Sequence, residues 1–143
     1  MRCVDANILV YAHRPESDRH ERFRSWLDEA RRGPEPLGLW EVVLSSFLRV
    51  VTHPRVFLEP TPRDVGLAFV EALREGPASM TIAGGDRHWP IFVDLCRRVG
   101  ATGNRIPDAY LAALVIEQGA TLVTADRGFA RYPGLRWEHP LDR

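Results

Sequence analysis

The sequence predicts an α/β fold, a three-layer α/β/α sandwich around a central, mostly parallel sheet. Two observations lead there. Short apolar runs at residues 2–5 and 121–124 have the length and bounding of buried strands, and the segments between them carry apolar residues at helical spacing. Strands separated by helices pair in parallel, and a parallel sheet needs helices over both faces. Helix is expected to outweigh strand.

In chain order, residues 2–5 read as a short buried strand. A helix is expected over 17–31, where Phe23, Trp26, Leu27 and Ala30 share a face and Gly33-Pro34 ends it. A second is expected over 39–52, with Val43, Phe47, Val50 and Val51 as its stripe and His53-Pro54 as its stop. Thr61 is the expected N-cap of a third, with Pro62 in the first helical position and Val65, Phe69, Ala72 and Leu73 facing inward up to Gly76-Pro77. Residues 79–82 suit a short strand. Asp86 is placed to cap a helix burying Phe92, Leu95, Cys96 and Val99, with Gly100 as its stop. Pro107 opens a helix that is apolar almost all round and so is expected against a sheet, ending at Gly119. Residues 121–124 form the clearest strand and 135–137 a weaker one.

The whole chain, 1–143, is expected to be a single domain, because neither repeats nor a dividing linker interrupt it. Its 45% hydrophobic content supplies one core. The opening Met1-Arg2-Cys3-Val4-Asp5 meets an acid before any apolar stretch, so a signal peptide is not expected. No apolar run approaches the ~20 residues of a membrane span. Cys3 and Cys96 make no disulfide framework. A cytoplasmic protein with no membrane partner is the expectation. The net charge is zero, but all 19 basic residues are Arg, so mechanisms that need a lysine are excluded. The five histidines show no metal-ligand spacing and read mostly as surface or turn residues.

The chemistry lies in acids. Ligands of parallel α/β sheets bind at the carboxyl ends of the strands. Asp5 ends the first strand and Asp126 follows the strand at 121–124. Asp108 lies in the first turn of the helix before that strand, and Glu41 near the start of the second main helix. Each has an ordinary explanation as a cap or a helix-dipole partner. Together they are harder to dismiss, because two charges about 5 Å apart repel by ~3 kcal/mol at an effective dielectric near 20. Such a cluster holds protons or a divalent cation. Carboxylates and waters without a His/Cys set suit Mg²⁺ or Mn²⁺ better than zinc, and that ion suits phosphodiester hydrolysis.

At these residues the chain resembles the PIN-domain nucleases, and within them the VapC-type toxins of bacterial toxin–antitoxin pairs. Val4-Asp5-Ala6-Asn7 is similar to the family's opening. Pro107-Asp108-Ala109, then the run from Gly119 to Asp126, Gly128-Phe129-Ala130 and Pro133-Gly134-Leu135 resemble its second half. The resemblance implies Asp5, Glu41, Asp108 and Asp126 as catalytic and metal-site positions, with Asn7 and Thr124 in support. Glu41 matches by order and spacing rather than by a sharp motif. It implies a Mg²⁺- or Mn²⁺-dependent endoribonuclease, a homodimer, and inhibition by a cognate antitoxin protein. Arg105 and Arg127 are the candidate contacts to RNA phosphates. Arg49 is a candidate partner for an active-site acid, and Trp40 and Trp89 are candidates for base stacking. The segments 40–51 and 61–73 are the expected dimer or antitoxin surface.

Two other classes remain in view. A Mg²⁺-dependent phosphatase or phosphoacceptor domain also gathers acids at strand ends, but such sites place a lysine beside the phosphoryl group, and the phosphatase pattern wants an acid where Asn7 stands. A non-enzymatic acidic-pocket binding module would use the acids structurally.

Overall fold

A computed structural model describes residues 1–142. Five strands, β1 (Arg2–Val4), β2 (Leu37–Trp40), β3 (Ser79–Ile82), β4 (Thr121–Val123) and β5 (Arg136–Glu138), form one sheet in the order β3-β2-β1-β4-β5. Every pairing is parallel. Six helices connect them: α1 (Ala6–His13), α2 (His20–Ala30), α3 (Glu41–Val51), α4 (Arg63–Arg74), α5 (His88–Val99) and α6 (Arg105–Glu117). The chain steps from β1 outward to β3, then crosses back over β1 to β4. Right-handed crossovers in these opposite directions put helices on opposite faces. Accordingly α1 packs on α2 and α3, α3 on α4, and α5 on α6. The predicted three-layer sandwich is the observed one, with a wholly parallel sheet.

Two elements were not expected. The segment 39–52 divides into β2 and α3, with Trp40 in extended backbone (φ −92, ψ 131) immediately before the helix. No turn residue separates them, so the apolar run reads through as one helix. The conformation of β2 is a tertiary matter. All four of its residues are buried between β1 and β3. Gly38 has space there for no side chain, since a Cβ would meet Cys3 Sγ at 2.8 Å. The other unexpected element is α1, where Ile8, Leu9 and Val10 have no helical periodicity because the helix is buried on several sides.

Several helix ends move for identifiable reasons. Helix α2 begins at His20 rather than Ser17, because Arg19 is left-handed (φ 54). Thr61 does not cap α4; its hydroxyl takes a hydrogen bond from Arg14 (3.0 Å) and lies 3.1 Å from the His13 ring. Helix α4 turns Gly66, Val70 and Leu73 inward and leaves Val65 and Ala72 exposed. Gly66 is the contact point, with a Cβ position only 3.2 Å from Leu48. A pattern judged by side-chain size misses a glycine used for close approach. Asp86 does not cap α5; Glu117 of α6 instead accepts from the Gly85 and Arg87 amides at 2.7 and 2.9 Å.

The core runs through both sides of the sheet and includes Val4, Ile8, Phe23, Trp40, Phe47, Val51, Val115 and Leu122. Both cysteines are free thiols, Cys3 buried and Cys96 half-buried. The histidines depart from expectation. His20, His88 and His139 are buried. His20 and His88 donate to the carbonyls of Tyr11 (2.7 Å) and Tyr110 (3.0 Å), and His139 accepts from the Leu141 amide. An imidazole can satisfy backbone groups in a core that a charged residue could not enter. Among the described residues no helix is long and apolar enough to cross a membrane.

Candidate active site

The strand order reverses direction between β1 and β4, so a crevice opens above their carboxyl ends. The register Val4↔Val123 brings Asp5, one residue past β1, level with Thr124, one residue past β4. The Asp5 amide donates to the Val123 carbonyl at 3.0 Å, which extends the ladder to that point. Asp5 and Asp126 each take a helix-capping position. Asp5 Oδ1 accepts from the Ala6 amide (2.7 Å) at the start of α1, and Asp126 Oδ1 from the Gly128 amide (2.8 Å) at a 3₁₀ turn, Arg127–Arg131. The ordinary structural role of these two acids is therefore real. It occupies one oxygen of each.

Thr124 is the hub. Its hydroxyl donates to Asp5 Oδ2 (2.8 Å) and accepts from Asn7 Nδ2 (3.2 Å) and from the Asp126 amide (3.0 Å). That uses the hydroxyl's one proton and both lone pairs. Asn7 Oδ1 in turn accepts from the Ala125 amide at 3.3 Å. Thr124 thus bonds the Asp5 carboxylate directly, and Asn7 reaches it only through Thr124. Thr124 is fully buried, so its bonds are not shared with bulk water.

Asp108, in the first turn of α6, completes a trio that interacts through charge. Burial pushes the Asp5 carboxyl up from 3.8 to about 6, the Thr124 and Ala6 bonds oppose this, and the charges of Asp108 and Asp126 add to it. Burial likewise raises Asp108, assisted by Asp126 and opposed by Arg131. Glu41 is carried to the same edge by β2, where it opens α3, and it is exposed. It is not among the groups whose charge raises Asp5.

The cationic surroundings differ from those expected. Arg127 follows Asp126 but is held in a two-pronged pair with Asp142 at 2.9 and 3.0 Å. Arg105 begins α6 and is exposed, and its carbonyl accepts from the Tyr132 hydroxyl (3.2 Å). Arg49 sits in the last turn of α3, at the far end of the helix from Glu41. Trp40 is 1% exposed and belongs to the core, so it is closed to a base, whereas Trp89 is 63% exposed. The arginine that sequence reasoning missed is Arg131. A Cβ built on Gly128 would stand 2.9 Å from Asp126 Oδ1 and 3.2 Å from an Arg131 guanidinium nitrogen, so both groups flank the same glycine. Side chains at i and i+3 eclipse in a 3₁₀ turn, and a glycine at i leaves room for the one at i+3. That spacing was the available signal.

The donor set fits a hard divalent ion in one particular manner. Among the described residues no three His, Cys, Asp or Glu side chains stand together as a ready-made metal site. Direct ligation would thus fall to one or two carboxylates with waters completing the sphere, the arrangement Mg²⁺ favours. The raised carboxyls of Asp5 and Asp108 carry repulsion that a cation would relieve.

The family model for the PIN domain matches residues 2–135. The chain belongs to the PIN-domain family. Among curated relatives, this PIN domain is 52% identical over 143 residues to VapC ribonuclease Mb2897 of Mycobacterium bovis, covering 99% of this chain and 97% of that one. It is 36% identical over 137 residues to ribonuclease VapC25 of Mycobacterium tuberculosis, covering 96% of each. These matches place it in the VapC-type branch. Among solved structures it resembles VapBC2 of Rickettsia felis, captured with a promoter DNA fragment, with a TM-score of 0.68 at 18% identity over 96% of each chain. At that identity the likeness is one of fold.

The hub makes a testable demand of this PIN domain. Thr124→Val keeps the shape but leaves three partly buried polar partners short of a bond. The expected cost is about 1–3 kcal/mol of stability, read as a lower urea midpoint. Thr124→Ser, which keeps the hydroxyl, is expected to retain most of it.

Proposed function

We propose that this PIN domain is a metal-dependent endoribonuclease that acts as the toxin of a toxin–antitoxin pair. The observation that supports the reading is the trio Asp5, Asp108 and Asp126 at the sheet's switch point, with the Asp5 carboxylate and the Asp126 backbone held by a fully used Thr124 hydroxyl. Caps alone would not require a third, charge-coupled acid from α6. The relatives named as ribonucleases support the choice of RNA.

In this reading one or two of Asp5, Asp108 and Asp126 would hold Mg²⁺ or Mn²⁺ directly, and the remaining acids, with Glu41 at the same edge, would act through its waters. When bound, the ion supplies charge stabilisation at the phosphate and acidifies a coordinated water. Thr124 and Asn7 fix the orientation of Asp5 and of the β4 turn, so the carboxylates need no rearrangement when substrate arrives. The absence of lysine still weighs against phosphatase and phosphoacceptor chemistry. The partners of this reading are RNA, a cognate antitoxin protein and a second copy of the chain. Exposed apolar side chains in the segments expected to form such a surface, Val42, Val65 and Leu67, suit the protein contacts.

The test is a brief pulse of expression followed by sequencing of cellular RNA ends, beside the Asp108→Asn variant. New 5′ ends and growth arrest are expected only with the wild type, and relief is expected on co-expression of the neighbouring antitoxin. Identical RNA ends from both proteins, each well folded, would overturn the ribonuclease reading.

A further inference from the structure

We propose that Arg131 is the residue that receives the RNA phosphodiester beside the carboxylates; this deepens the ribonuclease reading and rests on it. A polyanion approaching three acids needs a local cation, because the chain's net charge of zero provides no long-range attraction. The two arginines suggested by sequence order are poorly placed for it. Arg127 is already engaged by both oxygens of Asp142. Arg105 is exposed at the start of α6, and only its backbone carbonyl, which accepts from the Tyr132 hydroxyl, is tied to the site.

Arg131 differs in three respects. Its charge acts directly on Asp108. Its guanidinium and Asp126 Oδ1 both lie within 3.2 Å of the position a Gly128 Cβ would take. Its backbone is fixed, since the 3₁₀ turn is capped by Asp126 and anchored by buried Phe129 and Tyr132, while the Arg131 side chain itself is exposed. The 3₁₀ turn thus holds a planar, five-donor cation next to an acidic pocket. A guanidinium can grip both non-bridging oxygens of a phosphodiester at once. Arg131 touches substrate in this assignment and leaves the acids' own hydrogen bonds intact.

The experiment measures binding of a short fluorescent single-stranded RNA to the full chain carrying Asp5→Asn, so that no cleavage intervenes, across a salt series. Each phosphate neutralised on a single strand contributes about 0.7 to the slope of log K against log salt. Adding Arg131→Ala is expected to weaken binding about tenfold and reduce the slope by about that one contact. Arg131→Lys should keep the slope, because the charge remains. In the otherwise wild-type chain, Arg131→Ala should raise KM more than it lowers kcat. Arg74→Ala, next to the amino end of β3 and so at the opposite edge of the sheet, provides the comparison. An unchanged slope on Arg131→Ala, or an equal drop from Arg74→Ala, overturns the proposal. Should Arg131→Ala prove unstable by thermal melting, Arg131→Gln answers the same question. Absence of RNA binding by the parent chain would instead overturn the ribonuclease reading itself.

Discussion

Asp5→Asn is expected to lower RNA cleavage by more than about a hundredfold while making the metal-free fold more stable. Loss of an outer-shell partner in a metal site typically costs ten- to a hundredfold, so removal of a central carboxylate should exceed that. The stability gain follows from linkage. The Asp5 carboxyl titrates near 6 in the folded protein against 3.8 for an unperturbed carboxylate. Between those values the folded state holds a proton that the unfolded state releases, so stability falls as pH rises from about 4 to about 6 and stays low above. That penalty reaches about 3 kcal/mol at pH 7, and a neutral Asn avoids it. The change is small in volume, and Asn can still accept from the Ala6 amide, although its Nδ2 cannot accept from Thr124 and that lost bond offsets about 1 kcal/mol of the gain. Cleavage assays with Mg²⁺ and, separately, urea melts in EDTA, each at pH 5 and pH 7, read the two effects. Wild-type cleavage by the variant, or a fold less stable than wild type at pH 7, would contradict the assignment of Asp5.

Removal of divalent metal is the second large effect. EDTA should reduce cleavage to background, and Mg²⁺ or Mn²⁺ should restore it. Thermal stability supplies an independent readout. An ion that binds only the folded chain stabilises it by RT ln(1 + [L]/Kd), about 2.7 kcal/mol at a hundred times Kd. Protons compete for the same carboxyls, and those of Asp5 and Asp108 are both raised. The Mg²⁺-induced rise in Tm should therefore be larger at pH 7.5 than at pH 5. Metal-free stability runs the other way across this range, so the two curves should converge towards acid pH. A Tm indifferent to Mg²⁺ at pH 7.5, with full cleavage in EDTA, would exclude a metal at this edge.

The second half of the chain was the more legible. β4 is bounded by Gly119, in left-handed backbone (φ 62), and by the Asp126 cap, and α6 is long and apolar. Local chemistry there states the structure. The first half was less legible, because α1 and β2 are buried and so lack the polar contrast that makes periodicity visible. The same burial hid the role of Trp40, which reads as an aromatic available to RNA and is instead core. Three of the five histidines were misread for a related reason, since only the fold reveals the carbonyls and amides they satisfy.

The chain by itself determined the fold class, the strand-end positions of Asp5 and Asp126, and the helix start that carries Asp108. Those follow from hydrophobic pattern and turn chemistry, which act over a few residues. Tertiary structure alone decided that β4 lies beside β1, which lets one threonine hydroxyl join Asp5, Asn7 and Asp126 across more than a hundred residues of chain. It also decided which arginine faces the acids. Nineteen arginines are chemically alike in sequence, and only a 3₁₀ turn folding over Gly128, with Asp142 holding Arg127 aside, singles out Arg131. Direction and distance set the electrostatics of a site, and neither is written in residue order.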